Sequence, residues 1–106
     1  MKPSDELTRN LETLWKKYLP TILSRVESLS CAAKALNDGS LTTDLRMQAA
    51  QEAHKLAGSL GTFGLASASG EALAIESILA AAPIDGSQAK DLEVRLTRLR
   101  QAIENR

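Results

Sequence analysis

Ala53-His54-Lys55-Leu56-Ala57-Gly58-Ser59-Leu60-Gly61-Thr62-Phe63-Gly64 contains the single histidine of the chain and three of its six glycines. Around this stretch Ala49, Ala53, Leu56, Leu60 and Phe63 recur in steps of four, three, four and three. With residues about 100° apart around a helix axis, these five fall on one face, the spacing of a stripe buried against other helices. On the same wheel His54 lies about 140° from the centre of the stripe, and Gly58 lies about opposite it. The histidine is therefore expected to face outward, with a bare position one turn further along. A glycine inside a helix costs about 1 kcal/mol relative to alanine. Two of them, Gly58 and Gly61, beside one imidazole suggest that something uses the cleared surface. Met47, Ala50, Gln51, Ala57, Gly58 and Gly61 surround His54 on the wheel. They are mostly small or uncharged, as suits a docking surface.

The same periodicity extends through the chain. Residues 1–4 read as a leader, with Ser4 capping a helix that has acids in its first turn, Asp5 and Glu6. Leu7, Leu11, Leu14 and Tyr18 repeat at helical spacing, with Trp15 beside them as a packing residue. Pro20 removes a backbone donor, and the apolar stripe resumes with Ile22, Val26, Leu29, Ala33 and Leu36. Residues 5–36 thus form either two helices or one long helix kinked at Pro20. Asn37-Asp38-Gly39-Ser40 supplies a stop with a residue fit for left-handed geometry.

The helix carrying His54 spans 42–63, restarted by Thr42-Thr43-Asp44 and closed by Phe63-Gly64-Leu65. Ser67 is placed to cap the next helix, over 67–82, whose stripe is Ala68, Ala72, Ile75, Leu79 and Ala82. After the turn Pro83-Ile84-Asp85-Gly86-Ser87, Ser87 is placed to cap a last helix over 88–104. That helix buries Ala89, Leu92, Leu96, Leu99 and Ile103, and Arg95, Arg98 and Arg100 read as its solvated face. No stretch alternates with period two, so no sheet is expected. The expectation is one all-α domain over 1–106. It is an up-down-up-down antiparallel four-helix bundle, with an additional N-terminal helix or a long first helix kinked at Pro20.

Composition removes several functions. Thirteen basic residues balance thirteen acidic ones, which favours neither nucleic acid nor an anionic membrane. Aromatics at 3% leave no stacking platform for bases. The lone Cys31 excludes an internal disulfide, fits a reducing, cytoplasmic compartment, and reads as a small core residue. Cys31 and His54 fall short of the four ligands of a structural zinc site, so no metal site is expected. No segment approaches the length of a membrane span, and no signal peptide is visible.

His54-Lys55-Leu56-Ala57-Gly58-Ser59, followed by Phe63-Gly64, resembles the phosphoacceptor signature of histidine-containing phosphotransfer (HPt) domains. The resemblance covers roughly residues 5 to 104. It implies a helical bundle that shuttles a phosphoryl group between aspartates of receiver domains in two-component phosphorelays, with His54 as phosphoacceptor. Many members carry Lys three residues after the histidine; here that position is Ala57, and the nearby cation is Lys55. In the family a polar residue of the following helix can hydrogen-bond the other ring nitrogen, and its equivalent here is Glu76. The resemblance further implies no cofactor on this chain, Mg²⁺ on the partner receiver domain, and a monomer as the free state.

The chemistry agrees. An imidazole with a pKa near 6.5 is largely neutral at neutral pH, so a ring nitrogen lone pair can attack an aspartyl phosphate. Phosphoryl transfer asks mainly for positioning and charge neutralisation. Two alternatives remain. One is a helical adaptor with an incidental surface histidine. The other is the dimerisation and phosphoacceptor domain of a sensor kinase. That family places an acid directly after its histidine and Pro five residues on, where this chain has Lys55 and Ser59. No glycine-rich nucleotide-binding lobe follows, so autophosphorylation with ATP is not expected.

Overall fold

The computed structural model describes residues 3–81 and 83–106, with side chains from residue 6 onward. Four helices account for the fold: α1, Pro3–Asn37; α2, Thr43–Thr62; α3, Ala66–Ala80; and α4, Gly86–Glu104. No strand occurs among the described residues. α1 packs on α2 and α4, and α3 packs on α2 and α4, closing a ring of four. Cross-helix contacts run in opposite directions along each pair. Trp15 meets Phe63 and Arg25 meets Glu52 between α1 and α2. Ser30 meets Arg100 and Asn37 meets Glu93 between α1 and α4. Sequential neighbours are therefore antiparallel, as short connections require.

Among the described residues there is no separate N-terminal helix. α1 is a single helix that runs through Pro20. A proline costs least where the bond it deletes faces solvent, and Pro20 is exposed. Residues on both sides of it pack into one core, from Trp15 through Ile22, Val26 and Leu29 to Ala33. The described part of α1 starts at Pro3 and already includes Ser4; the expected Ser4 cap rests on a side chain outside the described ones. The stripe before Pro20 departs from expectation. Leu7, Leu14 and Tyr18 are exposed and Leu11 is half-buried, whereas Trp15 is buried. The bundle-facing side continues the line of Ile22, Val26 and Leu29 through Trp15, and Leu14 and Tyr18 lie about 100° and 60° around the helix from Trp15. There the indole meets the Phe63 ring edge-on at 5.3 Å, and the Arg106 guanidinium lies 4.4 Å from its centroid.

Helix boundaries follow local chemistry. Both α1 and α2 end in a Schellman arrangement. Ser40 N–H donates to Ala35 and Gly39 N–H to Leu36; Leu65 N–H donates to Leu60 and Gly64 N–H to Gly61. This places Gly39 at φ 72° and Gly64 at φ 78°, in the left-handed region that glycine adopts without penalty. The Thr42 hydroxyl caps α2 by accepting from Leu45 N–H at 3.1 Å.

Two expected caps are replaced. α3 starts at Ala66 after Leu65 with no side-chain cap, so Ser67 is inside the helix. α4 is capped by Asp85, not Ser87. The Asp85 carboxylate accepts from Gln88 N–H at 2.8 Å while the Gln88 side chain accepts from Asp85 N–H at 3.1 Å, a capping box.

The stripes of α2, α3 and α4 form the core. Leu56, Leu60, Ala72, Ile75, Leu79, Leu92 and Leu99 are fully buried. Ala89 is only half-buried, and Ala82 lies outside the described residues. Cys31 is exposed rather than in the core, since it lies one position off the buried pair Ala32 and Ala33. The α4 arginines are not a uniform solvated face. Arg95 is half-buried and bridges Asp91 on α4 and Glu71 on α3 at 3.3 and 3.2 Å. Its hydrogen bonds to Asp91 and then Glu71 hold its guanidinium above the usual arginine range. Arg98 is exposed, and Arg100 reaches Ser30.

Candidate functional site

His54 stands on α2 with 71% of its side chain exposed, flanked by Ala53 and Leu56, which are fully buried. Its Nδ1 lies 3.2 Å from Glu76 Oε1 and 3.1 Å from Oε2. Glu76 comes from α3, so the pair exists only because α3 is held against α2 in one register. An ionised carboxylate only accepts hydrogen bonds, so this contact places the ring proton on Nδ1. The Nε2 lone pair of the neutral ring is then the free one.

Two contacts outside the expected set fix that register. Ser69 Oγ, near the start of α3, donates to the Ala57 carbonyl at 2.8 Å. Arg46, near the start of α2, donates to the Leu79 carbonyl at 2.5 Å, where the last turn of α3 has carbonyls to satisfy. His54 and Glu76 lie between these two clamps. A serine in a small-residue run and an arginine in the first turns of α2 carry no signal of this in sequence, because their partners are backbone atoms of another helix.

The outward patch is narrower than the wheel suggested. Met47, Gln51, Gly58 and Gly61 are exposed, but Ala50 and Ala57 are buried, 7% and 4% exposed. α2 packs on α1 with one side and on α3 with the next, so its buried arc is wider than the leucine stripe. Ala50 and Ala57 lie on the α3 side, where their small side chains admit the neighbouring helix. They support the site from beneath and offer no surface to a partner.

The two glycines differ. A Cβ at Gly58 would meet no atom within 4 Å, whereas one at Gly61 would sit 3.5 Å from Ser69 Oγ, an ordinary contact. Internal packing does not require glycine at either position, and only at Gly58 is the space entirely open. Lys55 is exposed, with its Nζ 4.0 Å from Glu52 Oε1. Glu52 also accepts from Arg25 Nε of α1 at 3.2 Å. The cation next to the histidine in sequence is thus drawn toward α1, away from Glu76.

No group of three or more His, Cys, Asp or Glu side chains that could hold a metal ion occurs among the described residues. No described helix is long and apolar enough to cross a membrane. The chain matches the Hpt domain family over residues 5–105, essentially its whole length, and it belongs to that family. Hpt domains carry out histidine phosphotransfer in phosphorelays and interact there with receiver domains. No curated protein and no solved structure matches the chain.

Proposed function

We propose that this Hpt domain carries its phosphoryl group on His54, taking it from the aspartyl phosphate of one receiver domain and passing it to the aspartate of another. The observation that carries this is the exposed imidazole with Nδ1 tied to Glu76. Nε2 attacks phosphorus in line; the N–P bond forms as the P–O bond to the receiver aspartate breaks, and the carboxylate leaves with the electron pair. The ring, still protonated on Nδ1, becomes cationic, and the Glu76 carboxylate stabilises that charge. No proton has to enter or leave. The reverse attack by a second aspartate returns the ring to neutrality.

The bundle supplies a rigid nucleophile and bare backbone at Gly58. Met47, Gln51 and Gly61 extend the surface on which the receiver settles. The receiver supplies Mg²⁺ and its own cation. Lys55 can swing from Glu52 toward the incoming phosphate, since both ends of that 4.0 Å contact are exposed enough for it to be weak. Cytoplasmic signalling and the absence of any nucleotide-dependent autophosphorylation belong to the same proposal.

The test is incubation with a phosphorylated receiver domain. Acid-labile, base-stable label mapping to His54 Nε2 is expected, with none in His54→Gln. Label retained in that variant, or no label in the unaltered chain with several receivers, removes the proposal.

A further inference from the structure

The two flanks of His54 carry opposite charges. Around the axis of α2, Ala50 and Ala57, the pair on the α3 side, lie about 40° and 60° to one side of the imidazole. Glu76 reaches the ring from that side. Lys55 lies about 100° to the other side, and Glu52 lies about 60° beyond Lys55, toward α1. The open space over Gly58 falls between His54 and Lys55, about 40° from the imidazole. A phosphoryl group on Nε2 would therefore have a carboxylate behind the ring and a lysine across cleared backbone from it.

Glu52 is shared unequally between two cations. Its Oε2 accepts from Arg25 Nε of α1 at 3.2 Å, whereas Lys55 Nζ stands 4.0 Å from Oε1, beyond hydrogen-bond reach. The Arg25 and Glu52 side chains are 25% and 30% exposed, and that of Lys55 is 57% exposed. The better-covered pair is the bonded one, and the more exposed cation is the loose one. One carboxylate beside two cations leaves a positive charge in excess, and the geometry puts that excess on Lys55. When Lys55 swings away, Glu52 keeps its bond from Arg25, so the carboxylate is not left unpaired.

We propose that Arg25 is a positioning residue for phosphoryl transfer. By holding Glu52 from α1, it leaves Lys55 available to neutralise the phosphoryl oxygens on His54. This rests on the reading of His54 as phosphoacceptor and adds to it a residue of another helix that never touches the phosphate. Without Arg25, Lys55 becomes the cation that Glu52 holds, and it is drawn from the site. Without Glu52, nothing in this cluster draws Lys55 back.

Rates of phosphoryl acceptance from a phosphorylated receiver domain test the proposal, with circular dichroism on each variant to check the fold. Arg25→Gln should slow acceptance about threefold and Glu52→Gln should speed it about threefold, the scale of exposed ion pairs. Both effects should shrink at about 1 M salt, where charges are screened beyond about 3 Å. Arg25→Gln/Glu52→Gln should match Glu52→Gln, because no carboxylate remains to hold the lysine. In a Lys55→Gln background neither substitution should change the rate. Equal rates in Arg25→Gln, Glu52→Gln and the unaltered chain would leave the bridge a purely structural contact and overturn the proposal. So would an Arg25→Gln effect that persists in Lys55→Gln. A chain that takes no label on His54 refutes the phosphoacceptor reading itself, whereas normal labelling at one rate in every variant refutes the role of Arg25 alone.

Discussion

His54 Nδ1 and the Glu76 carboxylate, 22 positions apart in sequence, meet at 3.1 to 3.2 Å on the surface between α2 and α3. The histidine is mostly exposed while the glutamate is 30% exposed, so the acid forms the inner wall and the imidazole the outer. This geometry selects the tautomer without burying the ring.

Removing the acid should therefore affect chemistry more than fold. Glu76→Ala is expected to slow phosphoryl acceptance by His54 about tenfold, the scale of a lost orienting partner. It should also raise the fraction of ring protonated on Nε2. Imidazole ¹⁵N chemical shifts report the tautomer directly. Unchanged tautomer populations with a slowed rate would remove the orienting role assigned to Glu76.

Gly58 separates stability from access. A methyl group added at this position would meet nothing within 4 Å, so Gly58→Ala should stabilise the helix by about 1 kcal/mol, seen as a raised Tm. Gly58→Leu should also fold, yet block transfer by covering the approach to His54. Wild-type transfer rates in Gly58→Leu would contradict the docking role of the cleared surface.

Trp15 closes the end of the core and touches Phe63 and Arg106. Trp15→Ala should cost about 3 kcal/mol, at the lower end for a buried aromatic because the indole sits at the rim. Urea denaturation measures it. A loss below ~1 kcal/mol would show that α1 gains little from this contact.

Glu12 is held below the ordinary Glu value of 4.5, first by its hydrogen bond from Arg106 and then by the nearby charges of Arg106 and Lys16. The folded value lies below the unfolded one. What the pair adds to stability is therefore present above pH 4.5 and lost as pH falls through the folded value. A ¹³C titration of the Glu12 carboxyl should show a lowered midpoint that moves back toward 4.5 in Arg106→Ala. A midpoint insensitive to that substitution would mean the 2.6 Å contact does not persist in solution.

Much of the bundle is legible in the chain because each helix writes one periodic stripe. Those of α2, α3 and α4 predict their buried residues closely, from Leu56 and Leu60 to Leu92 and Leu99. Caps were less legible. Ser67 and Ser87 are good capping residues, but Asp85 with Gln88 forms two reciprocal bonds where Ser87 would form one. Leu65 enters the core and starts α3 without a side-chain cap. The sequence cannot rank such neighbours, because the choice depends on where the chain must turn to close the ring.

The amino-acid sequence by itself determined that the chain is all helical, that His54 faces out, and that Gly58 leaves space beside it; that residues 3–37 are one helix came only from the structure. These follow from local periodicity, which needs no knowledge of neighbours. Only the tertiary structure decided that Ala50 and Ala57 are covered, that Leu7, Leu14 and Tyr18 are not, and that Ser69 and Arg46 hold α3 where Glu76 meets the imidazole. Burial and pairing are properties of two surfaces, and a helix wheel describes only one of them.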